Sequence, residues 1–468
     1  MQPRADWVEL DPRAIWQAVK ETLREACSRL AADPVRAVGV SSQGETVTAV
    51  DRDVENLCNF IVTFDNRTVE QVKFWERTLS RAAIYRATGM PLHPMYSINK
   101  ILWIKEHLPE VYRRAHKFTL VEDFVIARLC GEFGIDYTLA SRSMAFDVEK
   151  KRWSREILRA AGVEESLLSP AHPSGTVIGT LKRELAAELG LPGRVAVVTG
   201  GHDQPAGALG AGIAESGTAM NAMGTVDAVC PVFETVSFSD AMLADNYAVY
   251  PYTREGLYCT IGFNLTGGLL LKWYRETLCR EEERTAREAE ANPYDVILSG
   301  MSESPKDLFV LPHFVGSGTP TLDPFSKGAI VGLKISTTKS DLTRGIVDSI
   351  NLEMKCNLER MAANGIPIRE VRAVGGGAKS DAWLALKASC FGVPVRRPRV
   401  QEAVSLGGAL LAGAAAGVFS SVAEAAKAMV AMGDTFEPDP RLHAVYEEKY
   451  GKYRELYGRL ADFNRSLE

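Results

Sequence analysis

Long apolar runs, paired cysteines and an excess of charge of either sign are all missing from this 468-residue chain. No run approaches the ~18 consecutive apolar residues of a membrane-spanning helix. The opening MQPRADWVELDP has no apolar core of the kind that marks a secretory signal. Eight cysteines (Cys27, Cys58, Cys130, Cys230, Cys259, Cys279, Cys356, Cys390) stand singly, without a CxxC pair or a His/Cys cluster at metal spacing. That usage reads as reduced, mostly buried thiols of a cytoplasmic protein. With 54 basic and 59 acidic residues, net −5, nothing favours nucleic acid or an anionic membrane as partner. Neither GxxxxGK[ST] nor GxGxxG occurs, and there is no low-complexity linker. At roughly 100–200 residues per domain, the length allows two or three domains, each with a real core.

What is present centres on residues 195–212, VAVVTGGHDQPAGALGAG. The apolar 195–198 run reads as a buried strand, Gly200-Gly201 as a turn, and the small residues from about Pro205 as a helix. Asp203 falls just past the strand's C-terminal end, where the chemistry of an α/β sheet sits. A plain helix cap would explain the same position. The chain reaches this stretch through Pro192-Gly193.

Along the chain, Asp11-Pro12 announces an amphipathic helix carrying Ile15, Trp16, Val19, Leu23, Ala26 and Leu30. Residues 36–43 form a second strand ending at Gly44-Glu45. Residues 59–67 read as a strand, 68–85 as helical, and 95–107 as a helix bearing Lys100 and Trp103. A helix over 121–130 stops at Gly131. Beyond Ala214 the pattern begins again: a strand and glycine turn at 221–225, strands near Tyr247 and Tyr258, and a helix opened by Gly267-Gly268. A short strand over 309–311 and a loop over 316–324 come next, then a helix from Thr338 and a strand over 370–374 ending in Gly375-Gly376-Gly377. An alanine-rich helix over 405–417 and an amphipathic one from Leu442 close the chain. On the last, Tyr446, Tyr450, Tyr453 and Tyr457 make a packing stripe. The pattern as a whole is α/β, two lobes with a cleft between them.

Three glycine turns, at 224–225, 267–268 and 375–377, adjoin strands and precede helices or turns. Bare backbone N–H groups at such turns suit nucleotide phosphates, although a single one is usually just a turn.

Together these residues resemble the FGGY family of carbohydrate kinases over essentially the whole length. Residues 95–107 follow that family's first signature, with Ser97, Lys100, Trp103 and Glu106 in place. The second runs from Gly328-Ala-Ile-Val-Gly-Leu333 through Asp341 to Asp348, with Gly345 where alanine or serine is usual. GGHDQ, GTV, GSGTPTLDP and GGGAKSD follow in the family's order. The resemblance implies two ribonuclease H-like (actin-like ATPase) lobes. Residues 1–213 would be the sugar-binding lobe and 214–468 the nucleotide-binding lobe. It implies ATP-dependent phosphorylation of a sugar hydroxyl, with Mg²⁺. Asp203 is then the general base. Glu45, Gln204, Met95, Asp65 and Arg67 fall at substrate positions, and Gly224, Thr225, Gly268, Lys272, Gly376, Gly377 and Asp381 at nucleotide positions. Read on their own, Glu45 could cap a turn, Lys272 could be a solvated helix residue, and Asp381 could cap the helix through Trp383.

Two departures shape the expectation. The family's opening hairpin with its Asp-x-Gly-Thr phosphate motif has no counterpart before Trp7-Val-Glu-Leu-Asp-Pro12. The first lobe would therefore lack its opening strands: either the start is set too far downstream, or this is a truncated relative, in which case an unpaired sheet edge is expected. A non-catalytic sugar or nucleotide binder is the alternative this raises, and no metal ligand can be named. At the positions of the glycerol clamp stand Gly44-Glu45, Thr63 and Met95, which predicts a pocket opened for a ketopentose, ketohexose or polyol. Asp65 and Arg67 resemble the Asp-x-Arg of pentulose kinases, and His202-Asp203 resembles fuculokinases. A homodimer is compatible with the sequence, which names no interface.

Overall fold

The computed structural model describes residues 1, 3–4, 7–30, 34–191 and 194–467; Pro192-Gly193 lies outside the described residues. Two sheets organise the chain. In the first, Ala196–His202 runs parallel to Ala37–Ser42 and antiparallel to Val177–Thr180. In the second, of eight strands, Thr218–Met223 lies between Glu370–Val374, parallel to it, and Asp227–Phe233, antiparallel. Helices pack on both, as the alternating strand and helix signals of the sequence require.

The link between the two halves is a pair of small-residue helices, Asp203–Gly210 and Ala403–Ala415. A Cβ on Gly407 would sit 1.9 Å from the Ala206 carbonyl oxygen, and one on Gly210 would sit 1.8 Å from that of Ala403. Only glycine lets these backbones touch. The late helix therefore lies against the first sheet, and the helix carrying Asp203 is clamped from the far end of the chain.

Several expectations change in detail. Gly200-Gly201 does not turn: the strand runs on to His202, because Glu122 Oε1 accepts both glycine N–H groups at 3.0 and 2.9 Å. The extra residue is absorbed by a register shift between Thr199 and Gly201. Within 59–67 only Phe60–Ile61 is strand, since the Asp65 carboxylate accepts the Arg67 N–H at 2.9 Å and bends the chain. The 68–85 helix is two, Val69–Thr78 and Arg81–Thr88, because Ser80 caps a fresh start. The strand Asp227–Phe233 had no separate signal, and the final helical stretch divides into Pro440–Tyr453 and Leu456–Arg465.

The tyrosine stripe packs as expected, with Tyr446 and Tyr453 buried against Asp348 and Glu353. Among the described residues Ala37–Ser42 has one strand partner, Ala196–His202. Among them, too, no helix is long and apolar enough to cross a membrane.

Candidate active site

Asp203 is the first residue of its helix, and the cap position before it belongs to His202, with no side-chain capping bond. Its carboxylate is therefore not spent on capping. It is partly buried, with 37% of the side-chain surface open. Burial, and then the charge of Glu45, push its pKa up to about 6.

Glu45 faces the same space from the loop after Ala37–Ser42, in a left-handed backbone (φ 59). Two signature residues hold that conformation: Ser97 Oγ and Lys100 Nζ each donate to the Glu45 carbonyl at 3.0 Å. Complete burial pushes the Lys100 ammonium down to about 7. The Glu45 carboxylate is paired with Arg142 and accepts from Thr63 Oγ1 at 3.2 Å. Arg142 in turn lies over the rings of Tyr96 and Tyr250, each 5.4 Å away.

Gln204 follows Asp203, and its buried Oε1 has no protein partner, an acceptor left for a ligand. Met95 is half-buried, its N–H donating to His93 Nδ1 at 3.2 Å. The room expected beside Gly44 is occupied: a Cβ there would meet His202 Nε2 and Arg142 Cγ, both at 3.2 Å. The small residue admits the imidazole and the arginine stem rather than enlarging the pocket.

Asp65 and Arg67 need a correction as substrate ligands. They bind each other through two side-chain hydrogen bonds of 2.8 and 2.7 Å, with side-chain exposures of 0% and 2%. Asp65 also accepts the Val8 N–H, and Arg67 reaches Glu9 at 2.9 Å between the rings of Trp7 and Trp103. This is a staple between the N-terminal segment and the first lobe.

On the other half, Gly224, Thr225, Gly268, Lys272, Gly376 and Gly377 line one cavity of about 440 Å³. Gly376 faces open space, so its bare backbone can approach an anion. The Gly268 and Leu269 N–H groups donate to the carbonyls of Gly224 and Thr225 at 2.8 and 3.1 Å. The helix start thus shapes the glycine turn instead of offering those donors to phosphate. Lys272 borders the cavity but is half-exposed, 3.9 Å from Glu276.

Asp381 is not in the lining. Arg397 holds it at 2.8 Å on the surface, and Ser380 caps its helix. Sequence reasoning gave no role to Asn292, Tyr294, Asp295 and Lys379 in this wall, to Arg142 at Glu45, to His202 beside Asp203, or to Tyr250 beside His202. Adjacency to the aspartate was a usable signal for His202. The GGGAKSD motif carried Lys379, and no signal marked the others.

The N-terminal domain of the FGGY family of carbohydrate kinases matches residues 1–210, and its C-terminal domain matches residues 232–416. The chain belongs to the FGGY family of carbohydrate kinases. Among its relatives, the xylulose kinase of Bacillus subtilis is 26% identical, across 100% of this chain and 92% of that protein. The autoinducer-2 kinase of Escherichia coli strain SMS-3-5 is 28% identical, across 96% and 86%. A ligand-bound xylulose kinase from Lactobacillus acidophilus superposes with a TM-score of 0.90 at 25% identity, covering 100% of this chain and 93% of the other. Glycerol kinase of Plasmodium falciparum with ADP, at 20% identity and a TM-score of 0.84 over 97% and 90%, shares the fold. This FGGY kinase is accordingly a two-domain, actin-like α/β phosphotransferase that uses ATP to phosphorylate a sugar hydroxyl.

Proposed function

We propose that this FGGY kinase phosphorylates a ketopentose, ketohexose or polyol, with Asp203 as general base. The observation that carries the reading is the uncapped, partly open Asp203 carboxylate opposite Glu45 and beside the unpartnered Gln204 Oε1. Phosphoryl transfer asks the protein mainly for alignment and charge neutralisation. A carboxylate ionised near neutral pH and within reach of the attacking hydroxyl is sufficient as base. Glu45, fixed by Arg142, and Gln204 would hold neighbouring hydroxyls, and Met95 would supply an apolar wall.

The nucleotide would lie in the 440 Å³ cavity on residues 214–468, and the sugar on residues 1–213. Gly224 and Gly376, free of side chains, suit the approach of phosphates. Mg²⁺ would arrive on those phosphates. Among the described residues no group of three or more His, Cys, Asp or Glu side chains could hold a metal ion, so no protein ligand is assigned to it. When bound, the ion would neutralise charge on the transferring group.

The relatives named for xylulose set the order of trial, with xylulose first. The test is ADP release with Mg²⁺-ATP over a panel of ketoses and polyols, with Asp203→Asn as control. Turnover with a ketose, or with a polyol larger than glycerol, that the substitution abolishes supports the reading. Glycerol as best substrate overturns the substrate class, and sugar or ADP binding without turnover favours the non-catalytic alternative.

A further inference from the structure

Next to Asp203 is a second ionisable side chain that the phosphoryl-transfer chemistry leaves unused. His202 is buried, and its Nε2 stands 3.1 Å from Asp203 Oδ1. Its Nδ1 stands 3.2 Å from the hydroxyl of Tyr250, on the strand Tyr250–Pro251 of the second sheet. Burial, and then the neighbouring Arg142, hold the imidazole's pKa well below its ordinary value, so it is neutral near pH 7. A neutral imidazole carries one proton, and its two nitrogens therefore play opposite parts. Burial holds the Tyr250 phenol well above its ordinary value, so it keeps its proton and can donate. A phenol donating to Nδ1 places the ring proton on Nε2, facing Asp203.

We propose that His202 is a positioning residue for Asp203, donating Nε2–H to Oδ1 in a tautomer fixed by Tyr250 from the other half of the molecule. The proposal rests on Asp203 being the base. One carboxylate oxygen is then tethered and the other is left for the substrate hydroxyl. Because His202 belongs to the first sheet and Tyr250 to the second, the base is held in its working orientation only while the two halves keep their present relation. The absent Cβ at Gly44 is part of the same device, since it leaves the imidazole room in this position.

The charged and titratable groups facing this chain are Glu45 and Arg142 at Asp203, Arg142 again at the imidazole, and Cys259, Arg142, Cys230 and Glu45 at the phenol. Burial, and then Glu45, push Asp203 up to about 6. The acid limb of kcat/KM therefore reports Asp203, and losing a donor to its charged form moves that limb to higher pH.

Side-chain ¹⁵N NMR of the full-length wild type near neutral pH gives the first test, with the His202 signal assigned by its loss in His202→Gln. The Nε2–H tautomer is expected, and an Nδ1–H tautomer overturns the proposal whether or not any variant folds. Kinetics give the second. Removing the phenol hydroxyl in Tyr250→Phe should lower kcat about tenfold, a fraction of what a positioned base contributes. It should also raise the acid limb and leave KM for ATP unchanged. His202→Gln, whose amide N–H can replace Nε2–H, should keep most of kcat, whereas His202→Ala should not. Wild-type kinetics in both Tyr250→Phe and His202→Ala, with Asp203→Asn inactive, would sink the tether and leave the base standing. Turnover surviving in Asp203→Asn would remove the base reading itself.

Discussion

Lys387 Nζ lies 2.9 Å from Asp227 Oδ2, and the two side chains are 0% and 2% exposed. Asn221 completes the set, accepting from Lys387 at 2.6 Å and donating to Asp227 at 2.5 Å. The three residues join the helix Asp381–Phe391 to the two strands that flank the Gly224-Thr225 turn. A buried pair of this kind is costly to assemble and more costly to break from one side. Lys387→Met leaves the Asp227 carboxylate buried without its cation, and should destabilise the protein by about 3–5 kcal/mol. Urea unfolding measures the loss, and adding Asp227→Asn should recover part of it, because the orphaned charge is gone.

The acid side of the pH profile should move when Glu45 is neutralised. Asp203 titrates at about 6 because burial and Glu45 both disfavour its charged form. A general base works ionised, so kcat/KM should fall below about pH 6 in the wild type. Glu45→Gln removes the like charge and leaves Arg142 unopposed beside Asp203. Both changes lower the Asp203 pKa, so the acid limb should shift to lower pH even as turnover drops from the lost substrate contact. A limb that stays in place or rises would show that a group other than Asp203 sets it.

Arg67 should matter to stability and not to sugar affinity. Its planar fork meets Asp65 twice and lies 3.9 Å from the Trp7 ring, a geometry that an ammonium cannot reproduce. Arg67→Lys should cost about 1.5–3 kcal/mol, the scale of hydrogen bonds to charged groups. KM for the sugar should be unchanged within error. A large rise in KM with unaltered thermal unfolding would return the pair to the substrate pocket.

The sequence made some parts of this site legible and hid others for physical reasons. Asp203, Glu45 and the glycine turns lie where strands end, and strand ends are written locally in apolar runs broken by small residues. Lys100 and Ser97 were legible as a signature, although what they hold, the Glu45 carbonyl, lies more than fifty positions earlier. Asp65 and Arg67 were misjudged because their partners, Val8 and Glu9, come from a segment that carries no pattern of its own. Asp381 was misjudged for a similar reason, since Arg397 on the next strand claims it. Gly200-Gly201 looked like a turn because glycine pairs usually are. Glu122, on a helix some eighty residues earlier, accepts both N–H groups and keeps the two residues within the strand, Gly201 at a bulge with φ 86°.

Gly268 gives a test of the nucleotide half that does not depend on the sugar. Its position is set by contact: a Cβ added there would lie 2.6 Å from the Gly224 carbonyl oxygen, closer than non-bonded atoms approach. That same carbonyl accepts the Gly268 N–H at 2.8 Å, so the turn and the helix start cannot separate without breaking the bond. Gly268→Ala must therefore move the Gly224-Thr225 turn, which lines the proposed nucleotide cavity. Overpacking of this kind costs about 1–3 kcal/mol, too little to unfold a protein of ordinary stability. Because the shift falls on the nucleotide wall and not on Asp203 or Glu45, KM for ATP should rise about tenfold or more if ~1.4 kcal/mol of binding is lost. KM for the sugar should stay near its wild-type value. Calorimetric titration with ADP checks the same point without turnover. Unchanged ADP affinity in a folded Gly268→Ala protein would place the nucleotide elsewhere.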